Sequence, residues 1–552
     1  AGVVAARAKI EGETSSRSMG GVVARYANLY YRTGVPQWAA LFLASMRQLD
    51  KLHEAEGDAS DVRTCRYLFA EFDRIDEGPT FSAPERLELV NLFFRFAQRM
   101  TYAKRTAKPS AIPHGNNWNA IGASYAGLYF SRYYPDNPIG KRILDTLDVH
   151  YEPNMTGWKV NEDCPGYGNI TLTGNYDWAL ARPDWRYFDL ECLRRMADFD
   201  MLITDNAGRC SGYGDSSGLG GPYTVNAYSL AAWLYKDGRY LWWWDRHIGR
   251  PNRYWVPETI LPRKPPDDLL GVAVAPLADW IYNSRAPGKT KAIPRDACFD
   301  KVSFRSGFEP DDQYLCISGF SHGFHSHPDA NAIIRYQDRG AVRLYDDGYM
   351  IPALSEHNTI AILKDGWAGK TPDFSQIAAR ADFPSVGLFE SRLENYNGIA
   401  WDRAVIWLKK GWFFIVDDLQ CKEEAEYAFQ CIWRALGQAK LNGNRWVVNK
   451  GDTRFTLVSA GAAPLAQRQS AGTSLNAKPF PLSKARALVQ AANQTMKPGD
   501  SCLFANLIST DGLSGAAEMD AAQLPNEPGA YVIQQADVFA LAGVGKCASL
   551  SR

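Results

Sequence analysis

Several features that would place a 552-residue chain quickly are missing from this one. No apolar run is long enough to cross a bilayer, which takes about 20 consecutive residues. Neither charge is in excess: Lys plus Arg and Asp plus Glu number 61 each. No global field therefore gathers nucleic acid or another polyanion, and an acidic ligand has to be held by a local site. The ten cysteines form no CxxC pair and no dense framework, which fits neither a zinc ribbon nor a disulfide scaffold and leaves the redox compartment open. Short internal repeats and low-complexity tracts are absent. The glycine-rich stretch CSGYGDSSGLGG, with Tyr213 and Asp215, lacks the Gly-Lys-Ser/Thr ending of a phosphate loop.

What is present is length, enough for two to four domains each with its own core, and many aromatics. The 17 Trp and 27 Tyr suit sugar clefts, where pyranose C–H faces stack on rings, and suit large cores and β-sandwiches equally well. The first residues, AGVVAARAKI, include no initiator Met and no charged-then-apolar leader, which is compatible with a mature form whose signal peptide has been removed.

Two periodicities divide the chain. Residues 1–290 read as helices. Trp38, Phe42, Met46, Leu49 and Leu52 recur at helical spacing. Ser82 and Glu85 form a capping box with Pro84 in the first turn, and Leu89, Phe93, Phe96 and Met100 then line one face. NAIGASYAGLYFSRYY carries Ala and Gly on one side, as close helix packing needs. Successive amphipathic helices of this kind predict hairpins stacked into an arc or toroid. Pro- and charge-rich stretches between 250 and 300 read as a linker. Residues 291–552 read as strands: RAVIWLKKGWFFIVDDL predicts two strands around a Lys-Lys-Gly turn, AEYAFQCIWRA alternates, and Asn442-Gly443 marks another turn. Many short strands without intervening helices predict an antiparallel β-sandwich.

The chemistry concentrates in three places. Four of the eight His fall between 322 and 357. His325 and His327 are two apart, a short strand then delivers Asp346, and His357 follows. Two imidazoles and a carboxylate suit zinc; a hydrogen-bonded His cluster at a domain seam is the competing reading. HGNNWNAIG, with His114, Asn116, Asn117, Trp118 and Asn119, sits where a helix should begin, so one Asn can equally be its N-cap. NEDCPGYGNITLTGNYDW holds Glu162, Asp163, Tyr167 and Tyr176, with Gly and Pro beside Tyr167 suggesting a loop tip.

Taken together, HSHPD at 325–329, a strand ending in Asp-Asp-Gly, HNTI at 357 and the WDRAVIWLKKGWFFIVDDL segment resemble the heparinase II/III superfamily of polysaccharide lyases. The Asn-Asn-Trp cluster and the Glu162-to-Tyr167 stretch resemble its first-domain motifs more weakly. The resemblance implies an incomplete (α/α) toroid followed by a β-sandwich, and β-elimination of a uronic-acid polysaccharide such as a glycosaminoglycan or alginate, in a secreted or periplasmic setting. Nucleic acid is not an expected partner.

Carried over, Asn117 binds the uronate carboxylate, Tyr167 is the acid and in part the base, and His325 is a second acid/base group. Asn116, Trp118, Glu162 and Tyr176 line the substrate site, and His327, Asp346 and His357 hold a divalent metal, a structural zinc. One departure is that many members have His where this chain has Trp118, which removes a candidate base. The physics suits the set. Abstracting the C5 proton pushes charge into the carboxylate, where one fixed donor is worth roughly 3–4 kcal/mol, and a positioned base or acid contributes about 10²–10⁴-fold. Arg105 and Arg380 are candidates for a cation near the tyrosine. The competing functions are a uronyl C5-epimerase, an (α/α) glycoside hydrolase using Glu162 and Asp215, and a non-catalytic carbohydrate-binding protein.

Overall fold

A computed structural model describes residues 2–56, 68–99, 114–216, 221–222, 225–249, 261–285, 293–346, 353–469, 485–512, 519–525, 527, 529–535 and 538–543. Met100, Arg105 and, from the expected linker region, residues 250–260 and 286–292 lie outside them; that region also holds the strand Gly271–Pro276 and the helix Asp279–Arg285. The chain divides into two compact units: Ala1–Val160 with Tyr167–Leu193, and Asn161–Gly166 with Arg194–Arg552.

The first unit is helical. Pro36–Glu56 buries Phe42, Met46 and Leu49 from the expected stripe. Ala83–Arg99 starts on the expected capping box: Ser82 N donates to Glu85 Oε2 at 2.9 Å, and Glu85 N lies 3.4 Å from Ser82 Oγ. Its buried Phe93 stacks on Phe72 with ring centroids 4.2 Å apart, and Phe42 and Phe69 pack around the same ring. Helices His114–Tyr133 and Pro138–Tyr151 approach closely because each offers a glycine. A Cβ on Gly127 would sit 2.8 Å from the Leu144 side chain, and one on Gly140 would sit 2.5 Å from Ser131 N. That is the contact the Ala/Gly face predicted.

The second unit is built on antiparallel sheets. A ten-stranded sheet and an eight-stranded sheet press their apolar faces into one core that holds Phe304, Tyr336, Trp401, Trp407, Phe413, Trp433 and Trp446. The expected hairpin is there, Ile399–Leu408 paired with Trp412–Cys421, and Asn442 pairs with Arg445 across a second one. A three-stranded sheet, Met519–Gln523, Ala530–Gln535 and Val538–Gly543, covers Trp412, Phe414 and Val416. Among the described residues no helix is long and apolar enough to cross a membrane.

One feature of this unit positions the site. Segment 201–216 is laid along the ten-stranded sheet and held by buried polar side chains. Arg305 donates to Thr204 O at 2.7 Å, Tyr314 OH to Leu202 O at 2.9 Å, Arg335 to Cys210 O at 2.7 Å, and Asn206 N to Gln337 Oε1 at 2.9 Å. Charged groups so deep are tolerable only when satisfied in this way.

Candidate active site

His325 sits on an irregular loop after the strand Tyr314–Ser318. The loop is sewn to the stretch before Tyr167. Phe324 N donates to Asn161 O at 2.9 Å and Asp163 N to Phe324 O at 3.1 Å, so Glu162 and Phe324 form a parallel bridge. On the other side Asp215 N donates to His325 O at 2.7 Å. His325 is thereby held at φ 52°, a left-handed conformation that costs of order 1–3 kcal/mol and persists only where surroundings enforce it. Gly214, at φ 55°, lets the strands of this knot meet: a Cβ there would collide with Asp163 O and His325 O.

The knot aims a carboxylate at the imidazole. Glu162 Oε2 and Oε1 lie 3.1 and 3.2 Å from His325 Nδ1. The Glu162 side chain is fully buried, while that of His325 is 24% exposed. An ionised carboxylate only accepts, so in this contact Nδ1–H is the donor to Glu162. The hydrogen bond that Glu162 accepts raises the imidazole's pKa above its usual value against the opposing effect of burial. A basic, oriented imidazole of this kind can take or return a proton.

Beneath it lies a buried charge cluster. Lys301 Nζ is 3.1 Å from Asp163 Oδ1 and 3.0 Å from Asp300 Oδ1, with all three side chains at most 1% exposed. It also stands 4.2 Å over the Tyr213 ring. Burial opposes the charge on Lys301, but the charges of Asp163, Asp300 and Asp329 outweigh it and raise the pKa. Losing one partner of such a cluster strands a buried charge, so it fixes Asp163, and with it the neighbouring Glu162.

His327, Asp346 and His357 also come together. His357 Nδ1 is 2.6 Å from Asp346 Oδ1, and the rings of His327 and His357 stand 5.2 Å apart. His327 Nε2 is 3.5 Å from Asp215 Oδ1, an ion-pair contact rather than a hydrogen bond. Both His327 nitrogens, His357 Nε2 and Asp346 Oδ2 are buried without a hydrogen-bond partner, as are both oxygens of Asp329. Burial lowers the pKa of His327. It also opposes charge on His357, where Asp346 prevails and the pKa is raised. Among the described residues no group of three or more His, Cys, Asp or Glu side chains is drawn together as a finished ligand set.

In the helical unit, Asn116, Asn117 and Trp118 fall in the first turns of His114–Tyr133; their side chains lie outside what the structure describes. Tyr167 opens Pro165–Ala181 and is half-buried, whereas Tyr176, on the same helix, is 1% exposed with its hydroxyl 3.5 Å from Thr173 Oγ1. Arg380 donates to Val272 O. Sequence reasoning missed Lys301, although Phe299–Arg305 carries Asp, Lys, Ser and Arg and every one of its residues is buried. Several charges inside a strand that is otherwise apolar was the available signal.

The architecture is that of the heparinase-type polysaccharide lyases, a helical toroid followed by an antiparallel β-sandwich. Among solved structures, heparinase III superposes with a TM-score of 0.68 at 10% identity, over 94% of this chain and 81% of that one. Heparan sulfate lyase HepC from Pedobacter heparinus gives 0.61 at 13% identity, over 94% and 80%. At such identity the likeness is one of fold. No family model and no curated protein matches the sequence.

Proposed function

We propose that this chain is a polysaccharide lyase that cuts a uronic-acid polymer by β-elimination. The observation that carries the reading is the buried Glu162 carboxylate on His325 Nδ1, an oriented acid/base group in a fold shared with heparan sulfate lyase and heparinase III. In the reaction the base takes the proton from C5, the C4–O bond breaks as the C4–C5 double bond forms, and an acid protonates the leaving oxygen. Tyr167 is the acid, and the base in part, and Asn117 holds the uronate carboxylate as charge flows into it. His325, its imidazole oriented by Glu162, is the second proton carrier. The substrate is a glycosaminoglycan such as heparan, chondroitin or hyaluronan, or an alginate, met outside the cytoplasm. Incubation with each polymer tests the reading: a lyase makes a product that absorbs as an unsaturated uronate, and a hydrolase, an epimerase or a binding protein does not.

We further propose that His327, Asp346 and His357 hold a divalent cation, zinc by ligand type. Support comes from the buried His357 Nε2, Asp346 Oδ2 and His327 Nδ1, which lack a hydrogen-bond partner, because buried polar atoms in folded proteins are nearly always satisfied. When bound, the ion supplies fixed positive charge that pins the loops; elimination needs no activated water. Elemental analysis of protein purified without chelator should find zinc in stoichiometric amount, and its removal should lower Tm more than it lowers kcat. Metal-free protein with an unchanged Tm would contradict the assignment.

A further inference from the structure

Asp365 and Gly366, at φ 50° and 80°, make a tight turn of the kind that twists with a hairpin, and Trp367 follows, paired opposite Lys364. Its side chain is 80% exposed, and no other described large hydrophobic side chain is more so. The tip is nevertheless braced: Asn397 Nδ2 donates to Trp367 O at 3.0 Å and to Ile362 O at 3.2 Å. The backbone is therefore held while the indole stands in water.

From this tip the chain runs straight onto the loop that carries His325. His322 Nε2 donates to Thr371 O at 2.8 Å, Ser321 N to Asp373 O at 2.9 Å, and Ser375 N to Gly319 O at 2.8 Å. Thr371 Oγ1 lies 3.4 Å from Pro328 O, and Phe374 stacks on Phe320 at 5.8 Å. Residues 367–375 are thus a strap sewn to both ends of the His325 loop. Three residues lie between Trp367 and Thr371, and four steps of chain cap their backbone separation at roughly 14 Å. Lys370 lies between, its side chain 68% exposed and its ammonium 3.3 Å from Asp373 Oδ1.

We propose that Trp367 and Lys370 form an outlying subsite for an acidic polysaccharide, the indole stacking on a sugar face and the ammonium facing a carboxylate or sulfate. The inference deepens the proposed lyase reading and rests on it for the choice of ligand. An indole offers a large rigid apolar face at little entropic cost, and the strap ties that face to the His325 loop. Binding that does not touch the reacting bond acts on ground and transition states alike, so it appears in KM and not in kcat.

The test compares wild type, Trp367→Ala and Trp367→Phe. Affinity electrophoresis in gels holding heparan sulfate, chondroitin sulfate, hyaluronan or alginate is run beside the unsaturated-product assay. Trp367→Ala should weaken retardation by the cleaved polymer roughly tenfold and raise KM with kcat and Tm unchanged, and Trp367→Phe should recover most of the loss. Retardation and KM equal to wild type in Trp367→Ala would overturn the subsite and leave the lyase reading standing. A wild type that yields no unsaturated product yet is retarded through Trp367 would sink the lyase reading and keep the subsite. No retardation and no product on any polymer would overturn both.

Discussion

Tyr167→Phe should lower kcat by about 10²–10⁴-fold, the contribution of a positioned proton carrier, and leave folding and polymer binding intact. Only the phenol oxygen is removed, from a half-buried side chain at the start of Pro165–Ala181, so packing changes little. Tyr176→Phe is the internal control. That ring is 1% exposed, and its hydroxyl faces Thr173 Oγ1 at 3.5 Å, so its loss should cost a little stability and almost no turnover. The two tyrosines share one stretch of sequence, and burial is what separates them. Full activity in Tyr167→Phe together with a dead Tyr176→Phe would move the proton to the other ring. Activity in both would remove tyrosine from the mechanism and leave the work to His325.

The second large effect belongs to His325. His325→Asn should cost about 10²–10⁴-fold in kcat. Glu162→Ala should also depress kcat, because Nδ1 loses the acceptor that sets the tautomer and supports the charge. Both side chains act as one device, joined at 3.1 Å. The double variant should therefore be no worse than His325→Asn alone, since residues that work as a unit are not additive. Additive losses would mean that Glu162 acts on the substrate by itself, as the sequence suggested when it placed this residue in the binding site.

The fold was legible because its signals are local. The Ser82–Glu85 box, the aromatic stripe through Phe93 and the Lys-Lys-Gly hairpin each specify their element within a few residues of chain. Histidine spacing singled out His325, His327 and His357, with Asp346; His357 Nδ1 meets Asp346 Oδ1 at 2.6 Å and its ring stands 5.2 Å from that of His327, while among the described residues no group of three such side chains is placed to hold a metal ion. What was not legible depends on contacts across long stretches of chain. Gly and Pro beside Tyr167 suggested a loop tip, yet Tyr167 lies in the first turn of the helix Pro165–Ala181, and Glu162 just before it is buried where Asn161 and Asp163 pair with Phe324. Asp215 looked like a possible hydrolytic carboxylate, yet its backbone holds His325 and its side chain stands beside His327. Lys301 belongs to no motif; the charges inside its apolar strand were the one local hint, and its pairing with Asp163 comes only from the fold. The exposed Trp367 likewise matters only through the strap that returns to His322.

The most direct test of elimination is to digest heparan sulfate, chondroitin sulfate, hyaluronan and alginate in H₂¹⁸O, following ultraviolet absorbance and product mass together. β-Elimination predicts that absorbance of the unsaturated uronate rises with each chain scission on at least one polymer, and that the new ends carry no ¹⁸O. Chain scission with ¹⁸O incorporated and no rise in absorbance would contradict the account and identify a hydrolase in its place.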